Sequence, residues 1–206
     1  MVIHKEHKQN YGMVQVGILG DGYNTSGQTM YPLGSNNTNA IFAGQPVHFA
    51  GGVTTAIAAT PTTTFSGTNT PIGIASGFRY VDGTTGALTF SNHLVASAMT
   101  GSGHSDVQVY VWDNPRAIFK VQADAAMAST DAGKNSALTN ITSVNTLDLS
   151  KQSKMTVDAD AATTATLAVR VIGLYESPNN NWTDTYPDVL VTWNPGVHQY
   201  DMSTLA

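Results

Sequence analysis

The chain has 206 residues, a length that fits one β-rich domain or two very small ones and excludes a large multidomain enzyme. Charged residues make up 11% of it, against about 25% in typical soluble domains, which disfavours long solvated helices. The absence of Cys excludes disulfides, a thiolate nucleophile and a Cys-ligated zinc site. A net charge of −5 has the wrong sign for holding a phosphate backbone, so direct nucleic-acid binding is not expected.

The start of the chain is polar and has no apolar stretch like that of a secretory signal. His4 and His7 have a spacing that suits a metal site on a helical turn, but Lys5 and Lys8 beside them favour a solvated segment. We predict a flexible N-terminal arm over residues 1–12, with no metal or cofactor. No apolar run is long enough to cross a bilayer, so neither membrane insertion nor classical export is expected.

The next segment is notable for its lack of charge, because no Asp, Glu, Lys or Arg occurs from Gly22 to Phe78. Gly, Pro and Thr are frequent there, which predicts strands and loops rather than helix. Such a stretch is either a low-complexity linker or a surface that docks on another protein, and charge depletion at interface cores favours docking. We therefore divide a single β domain, residues 13–206, into a charge-poor docking or oligomer segment at 13–78 and the main strands at 79–206.

Four strands are predicted in the middle of the chain. Residues 72–81 and 87–90, joined by the turn residues 82–86, read as a β-hairpin. Residues 107–112 alternate Val with polar or aromatic residues and form the clearest strand. Residues 117–123 resume after a Pro-containing break, and we expect them to pair antiparallel with 107–112.

At the start of the last third of the chain, the pattern of apolar and polar residues is less regular. Apolar residues recur about every third position, which allows a short helix near 136–141. Strands are expected at 155–157, 166–175 and 188–193. Many short strands, frequent turns and almost no helix predict an all-β fold, an antiparallel β-barrel or a jelly-roll-like sandwich, with an extended N-terminal arm.

No motif in the sequence forms a catalytic constellation. His104, Ser105 and Asp106 include all three residue types of a hydrolase triad, but neighbours on an extended chain cannot orient one another as a triad requires. Asp158 and Asp160 suit calcium, yet no Gly-bearing calcium loop surrounds them. We predict a protein that is not an enzyme, with no small-molecule substrate.

Two stretches resemble the head decoration, or cement, proteins of tailed phages, in particular short-tailed marine and cyanobacterial phages. The first contains F-R-Y-V-D at 78–82, F-S-N-H-L at 90–94 and the distinctive D-N-P-R-A-I-F-K-V-Q-A-D at 113–124. The second contains L-A-V-R-V-I-G-L at 167–174 and P-D-V-L-V at 187–191. The family has no catalytic residues to carry over.

The resemblance implies a β-barrel or jelly-roll-like protein on the outer surface of the virion head. It also implies that the protein is made in the host cytoplasm, binds the major capsid protein, clamps neighbouring capsomers and forms a small homo-oligomer, for which we expect a trimer rather than a dimer. Arg116 belongs either to a fixed turn at 113–116 or to a contact with a partner carboxylate. The candidate capsid or oligomer interface residues are His4, His7, Tyr11, Tyr31, Phe42, Phe49, Phe65 and Arg116.

The alternative function is a carbohydrate- or receptor-binding β-sandwich of a phage tail or surface structure. Aromatic faces stack on apolar sugar faces, and the aromatic candidates for such a platform are Trp112, Trp182, Trp193 and Tyr186. Trp112 and Trp193 lie in strand patterns and are expected in the core or an interface. Trp182 follows three Asn residues, and we expect it on an exposed loop.

Overall fold

A computed structural model of the chain describes residues 10–20, 27–33, 40–50, 53–56, 70–94, 103–141 and 151–200. Within these ranges the regular structure is β-strand apart from a single 3-10 turn at Ser129–Asp131. The strands are β1 (Val14–Ile18), β2 (Thr29–Pro32), β3 (Ile41–Phe42), β4 (Pro46–Ala50), β5 (Val53–Ala56), β6 (Pro71–Val81), β7 (Leu88–Ser91), β8 (His93–Leu94), β9 (Ser105–Trp112), β10 (Ala117–Gln122), β11 (Asn135–Ser136), β12 (Leu138–Thr139), β13 (Thr156–Val157), β14 (Val169–Leu174) and β15 (Asp188–Trp193).

The strands form two main sheets, and every strand ladder is antiparallel. A five-stranded sheet has the order β1-β10-β15-β14-β11, and a six-stranded sheet has the order β2-β9-β6-β4-β5 with β7 also paired to β6. Two short pairs, β12 with β13 and β3 with β8, complete the set. The prediction of an all-β antiparallel fold is confirmed.

Each main sheet has its own apolar core. The five-stranded sheet buries Phe119 and Trp193 among its valines, and the six-stranded sheet buries Phe78 among the valines of β9. The two sheets meet where Ile74 lies opposite Trp112, because both of these residues pack into the core of the five-stranded sheet. The long strand β6 therefore contributes side chains to both cores.

The predicted hairpin is confirmed. Strands β6 and β7 pair antiparallel from Phe78 with Ser91 to Val81 with Leu88. The side chain of Asp82 holds the turn, since its Oδ1 accepts hydrogen bonds from the backbone N–H groups of Thr84 (3.0 Å) and Thr85 (2.8 Å).

The expected pairing of residues 107–112 with 117–123 is wrong. Both segments are strands, but β9 pairs with β6 and β2, whereas β10 pairs with β1 and β15. The turn at Asn114 carries the chain from one sheet to the other, because the apolar faces of the two strands belong to different cores.

The helix considered near residues 136–141 is also wrong, because the segment forms β11 and β12. Asn135 and Ser136 pair with β14, and Leu138 pairs with Val157 of β13. Asn140 has a φ of 54°, which interrupts the extended chain and brings Ile141 back to the same core as Leu138. The three strands predicted in the last third are confirmed as β13, β14 and β15.

Candidate functional site

Three of the sequence-predicted interface residues, His4, His7 and Phe65, lie outside the described residues, as do residues 1–9 of the predicted arm. The last three residues of that arm contact the domain. Asn10 donates a hydrogen bond to the Lys154 carbonyl at 3.3 Å. The ammonium of Lys120 lies 4.5 Å from the ring centre of Tyr11. Burial, together with the nearby Asp188 carboxylate, raises the pKa of Tyr11, so this side chain contributes to packing within the chain.

Tyr31 and Phe49 form part of an aromatic cluster within the chain. Their rings meet edge to face at 5.4 Å, and Phe49 also contacts the ring of Tyr200 at 6.4 Å. The Tyr31 hydroxyl donates to the Asp113 carboxylate at 2.6 Å, and burial and this bond raise the pKa of Tyr31. These contacts join the C-terminal segment to the six-stranded sheet.

Phe42 is buried and stacks on His93 at a ring distance of 6.0 Å. His93 Nδ1 lies 3.1 Å from Asn92 Oδ1, an acceptor, and its Nε2 lies 3.2 Å from the ammonium of Lys151. A neutral imidazole with its proton on Nδ1 satisfies both contacts, since Lys151 then donates to Nε2. Phe42 thus supports a polar cluster and presents little surface to a partner.

The lowered pKa values of two histidines, His48 and His93, predict how the stability of the fold depends on pH. Burial lowers the pKa of His48 below its ordinary 6.5, and burial together with Lys151 lowers the pKa of His93. Below about pH 6.5 these histidines bind protons in the unfolded chain but stay neutral in the folded chain. The free energy of unfolding therefore decreases as the pH is lowered. The pKa values of Asp82 and Asp131 lie below 3.8, so protonation of these carboxylates lowers the free energy of unfolding only in stronger acid.

Urea unfolding at a series of pH values measures this dependence. We expect stability to fall between neutral pH and about pH 5, and the substitution His93→Gln to reduce the slope without abolishing it, since His48 remains. A stability that is constant over this range would contradict the assignment of neutral histidines.

Arg116 lies on the surface in the turn that connects the two sheets. The Asn114 side chain accepts from the Arg116 N–H at 2.8 Å, and the Asn114 carbonyl accepts from the Ala117 N–H at 3.0 Å. These bonds support the structural interpretation of the turn. The Arg116 side chain runs beside Gly20, and a contact of its guanidinium with a partner stays a prediction.

The aromatic residues considered for sugar binding do not form one exposed platform. Trp193 is buried, and Trp112 and Trp182 are partly buried against the core of the five-stranded sheet. Trp182 lies on a largely exposed loop, as expected, but its own side chain is half-buried. The neighbouring Asn180 amide donates to the carbonyls of Tyr175 and Asp188 at 2.7 Å, so it holds the loop.

The His104 and Asp106 side chains have separate partners. His104 stacks on Tyr80 at 4.5 Å and accepts from the Gly83 N–H, whereas Asp106 forms an ion pair with Arg79. Among the described residues, no group of three or more His, Asp or Glu could hold a metal ion. Within the same residues, no helix is long and apolar enough to span a membrane.

The most unusual surface feature is strand β7, whose polarity is inverted. Thr89 and Ser91 pair with Tyr80 and Phe78 and therefore share the core face of the sheet, while Leu88 and Phe90 point outward. Leu88 is 54% exposed and Phe90 is 64% exposed. A half-solvated antiparallel strand normally turns its apolar residues inward, so an apolar outward face indicates a binding surface.

The inverted strand belongs to a larger surface, which we call the outer face. It is the side of the six-stranded sheet opposite its core, and the pairings place Pro32, Gln108, Arg79 and Phe90 in one row across four strands. Met30 and Tyr110 lie in the adjacent row, and Met30 is 47% exposed. The outer face consists of Met30, Pro32, Arg79, Val81, Leu88, Phe90, Gln108 and Tyr110.

The outer face carries little net charge. Arg79 is paired with Asp106, which sits at a β-bulge of β9 with a φ of 51°. This bulge brings the Asp106 carboxylate beside the guanidinium, and Asp106 also accepts from Gln108 at 3.1 Å. A neutral face with apolar residues at its edges has the composition of an interface core rather than of an ordinary surface.

None of the individually named candidate interface residues lies on this face, although Met30 and Pro32 fall within the predicted docking segment at 13–78. The alternation of Leu88 and Phe90 with Thr89 and Ser91 was a usable signal, but alternation alone does not say which set faces the core. Within the charge-poor segment, Ile41, Phe42, Val47 and Ile72 are buried in the chain's own interior, so much of its lack of charge reflects internal packing.

Comparisons of this chain with protein-family models, with curated proteins and with solved structures find no match.

Proposed function

We propose that this chain is a virion structural protein that decorates a phage head. In this proposal it binds the outer surface of the assembled capsid and clamps neighbouring capsomers of the major capsid protein, without catalysing a reaction. The observation that carries the proposal is the inverted strand β7, which turns Leu88 and Phe90 to solvent. The resemblance of residues 78–82, 90–94 and 113–124 to decoration proteins supports it, because the second of these motifs includes Phe90 of β7.

The physical properties of the outer face suit a clamp. Arg79 is neutralised within the chain, so docking does not require an unpaired charge to be buried. The face lies on a continuous sheet, whose ladder of hydrogen bonds keeps it rigid and limits the entropy lost on binding. A capsid presents many equivalent sites, so several weak contacts to adjacent capsomers add through effective concentration and stabilise the assembled shell by mass action.

The proposal relocates the docking surface relative to the sequence prediction. The charge-poor segment still contributes Met30 and Pro32 to the outer face, but the positions on β6, β7 and β9 come from residues 79–110. Tyr31, Phe42 and Phe49 lie behind this face or beside the core and serve the fold.

The substitution Met30→Lys tests the proposal directly. A charge placed on the docked surface must lose its hydration on docking, so we expect the affinity for heads assembled without this protein to fall at least about tenfold. The measurement is co-sedimentation of purified protein with such heads, with thermal unfolding as the check that the fold is unchanged.

A matched control is available because Tyr186 has the same exposed fraction as Met30, 47%, and lies outside the outer face. Tyr186→Lys should leave head binding unchanged. If the two variants bind equally well, the outer face does not dock. If instead Tyr186→Lys is the damaging change, the loop considered for glycan binding is the contact surface.

A further inference from the structure

We propose that the free edge of β7 pairs with β7 of a second copy of this chain, forming an antiparallel, two-fold symmetric contact. This inference does not depend on the capsid proposal, because its hydrogen bonds are made by the backbone edge of the strand and need no capsid protein. Within the described residues, β7 pairs with β6 alone, so its other edge has no strand partner there.

The alternation of an antiparallel ladder identifies which backbone groups face that edge. Pairs alternate between those that exchange hydrogen bonds and those that do not. Asp82 donates its N–H to the Ala87 carbonyl at 2.9 Å, which marks this as a hydrogen-bonded pair. Leu88 and Phe90 therefore form non-hydrogen-bonded pairs with β6. Both residues direct their backbone N–H and C=O groups away from β6.

These outward groups are self-complementary. In an antiparallel arrangement centred on Thr89, Leu88 lies opposite Phe90 of the second copy, and Phe90 lies opposite Leu88 of the second copy. Each of the two pairs exchanges two hydrogen bonds, so every outward N–H and C=O of the two residues in both copies is satisfied. The same register brings an aromatic and an aliphatic side chain together twice on the outer face.

Charge at the two ends of the strand favours a second copy over another occupant. Lys151, which contacts His93, lies just beyond the Ser91 end, and the Asp82 carboxylate holds the turn before the Leu88 end. An antiparallel pair brings the basic end of each copy to the acidic end of the other. Strand β7 itself carries no charge, so no like charges oppose each other along it.

The contact has consequences for assembly. A two-fold contact closes with two copies, so it predicts a dimer rather than the trimer expected from the sequence. Pairing would also join two six-stranded sheets edge to edge and place both outer faces on one continuous surface. The paired sheet presents Leu88 and Phe90 of both copies at its centre.

Hydrogen exchange of the unmodified protein tests the pairing directly. The amides of Thr89 and Ser91 bond to β6 and should be protected at every protein concentration. The amides of Leu88 and Phe90 should exchange rapidly in dilute solution and become protected as concentration rises from about 1 µM to about 1 mM, in step with dimer mass by sedimentation. A chain that stays monomeric throughout, or a dimer that leaves these two amides exposed, overturns the proposal.

Two variants add an independent test. Phe90→Pro removes an outward N–H, a change that an edge strand tolerates, and Phe90→Lys keeps the N–H but removes the apolar pair. Each should raise the dimer dissociation constant at least about tenfold, since the loss occurs at two symmetric positions. The control Ile172→Lys changes a residue of the five-stranded sheet that is also exposed, at 37%, and should leave the dimer intact.

The outcomes separate this inference from the proposed function. A dimer that resists both Phe90 variants shows that another surface mediates self-association and overturns the inference. Met30 lies across the sheet from β7, so Met30→Lys should leave the dimer intact whatever its effect on head binding. Head binding that survives Met30→Lys contradicts the proposed function alone, whereas a dimer that survives both Phe90 variants contradicts this inference alone.

Discussion

Replacing Gly73 by alanine is expected to destabilise the protein by about 2–6 kcal/mol, a large part of the roughly 5–15 kcal/mol that holds a typical domain folded. Gly73 lies in β6 with a φ of 156°, and a Cβ there would overlap the Trp112 carbonyl oxygen and lie 2.8 Å from its carbon. The obstacle is the backbone of β9, so no side-chain rotation relieves it. Relief requires β6 and β9 to separate where Ile74 and Trp112 join the two cores.

Gly86→Ala is the matched control for this substitution. Gly86 has a left-handed φ of 69°, yet a Cβ there would have no atom within 4 Å. Its replacement should cost only the backbone strain, about 1–2 kcal/mol. Urea unfolding of the two variants isolates the steric contribution. Equal losses would mean that β6 and β9 are not packed as closely as the structure shows.

Phe119→Ala is expected to lower the free energy of unfolding by about 3–5 kcal/mol. Phe119 lies on β10, is fully buried, and contacts the ring of Trp193 edge to face at 5.8 Å. Truncation removes this contact and leaves a cavity at the centre of the five-stranded sheet's core, whose surrounding strands are fixed by their ladders.

The same truncation at Phe90 provides the comparison. Phe90 is mostly exposed, so Phe90→Ala should change the stability of the monomer by no more than about 0.5 kcal/mol. Thermal and urea unfolding in dilute solution measure both variants. A loss at Phe90 comparable to that at Phe119 would show that Phe90 is buried within its own chain and would remove the basis for the outer face.

Local sequence signals predicted where the strands lie better than they predicted which strands pair with one another. The hairpin of β6 and β7 was predictable because Asp82 and Gly86 form its turn and the strands adjoin in sequence. The partners of β9 and β10 were not, because pairing across the turn at Asn114 depends on which core each apolar face enters. The partners of β10 lie at Val14–Ile18 and Asp188–Trp193, far away along the chain.

The candidate site was harder to predict for a related reason. Aromatic residues in an uncharged segment are a reasonable signal of an interface, but Tyr31, Phe42 and Phe49 find aromatic partners inside the chain. The two most exposed large apolar residues of the described part of the chain are Leu88 and Phe90, in a strand with ordinary alternation. Only the register with β6 shows that their side of the strand faces solvent.

The proposed role on the capsid surface is tested most directly by quantitative peptide mass spectrometry of purified particles of the source virus, which gives the copy number of this chain relative to the major capsid protein. The account predicts a copy number close to that of the major capsid protein, as expected for a clamp that occupies the whole lattice. A handful of copies per particle would place the chain on the tail or a vertex and support receptor binding instead. Absence from the particles would contradict the structural role.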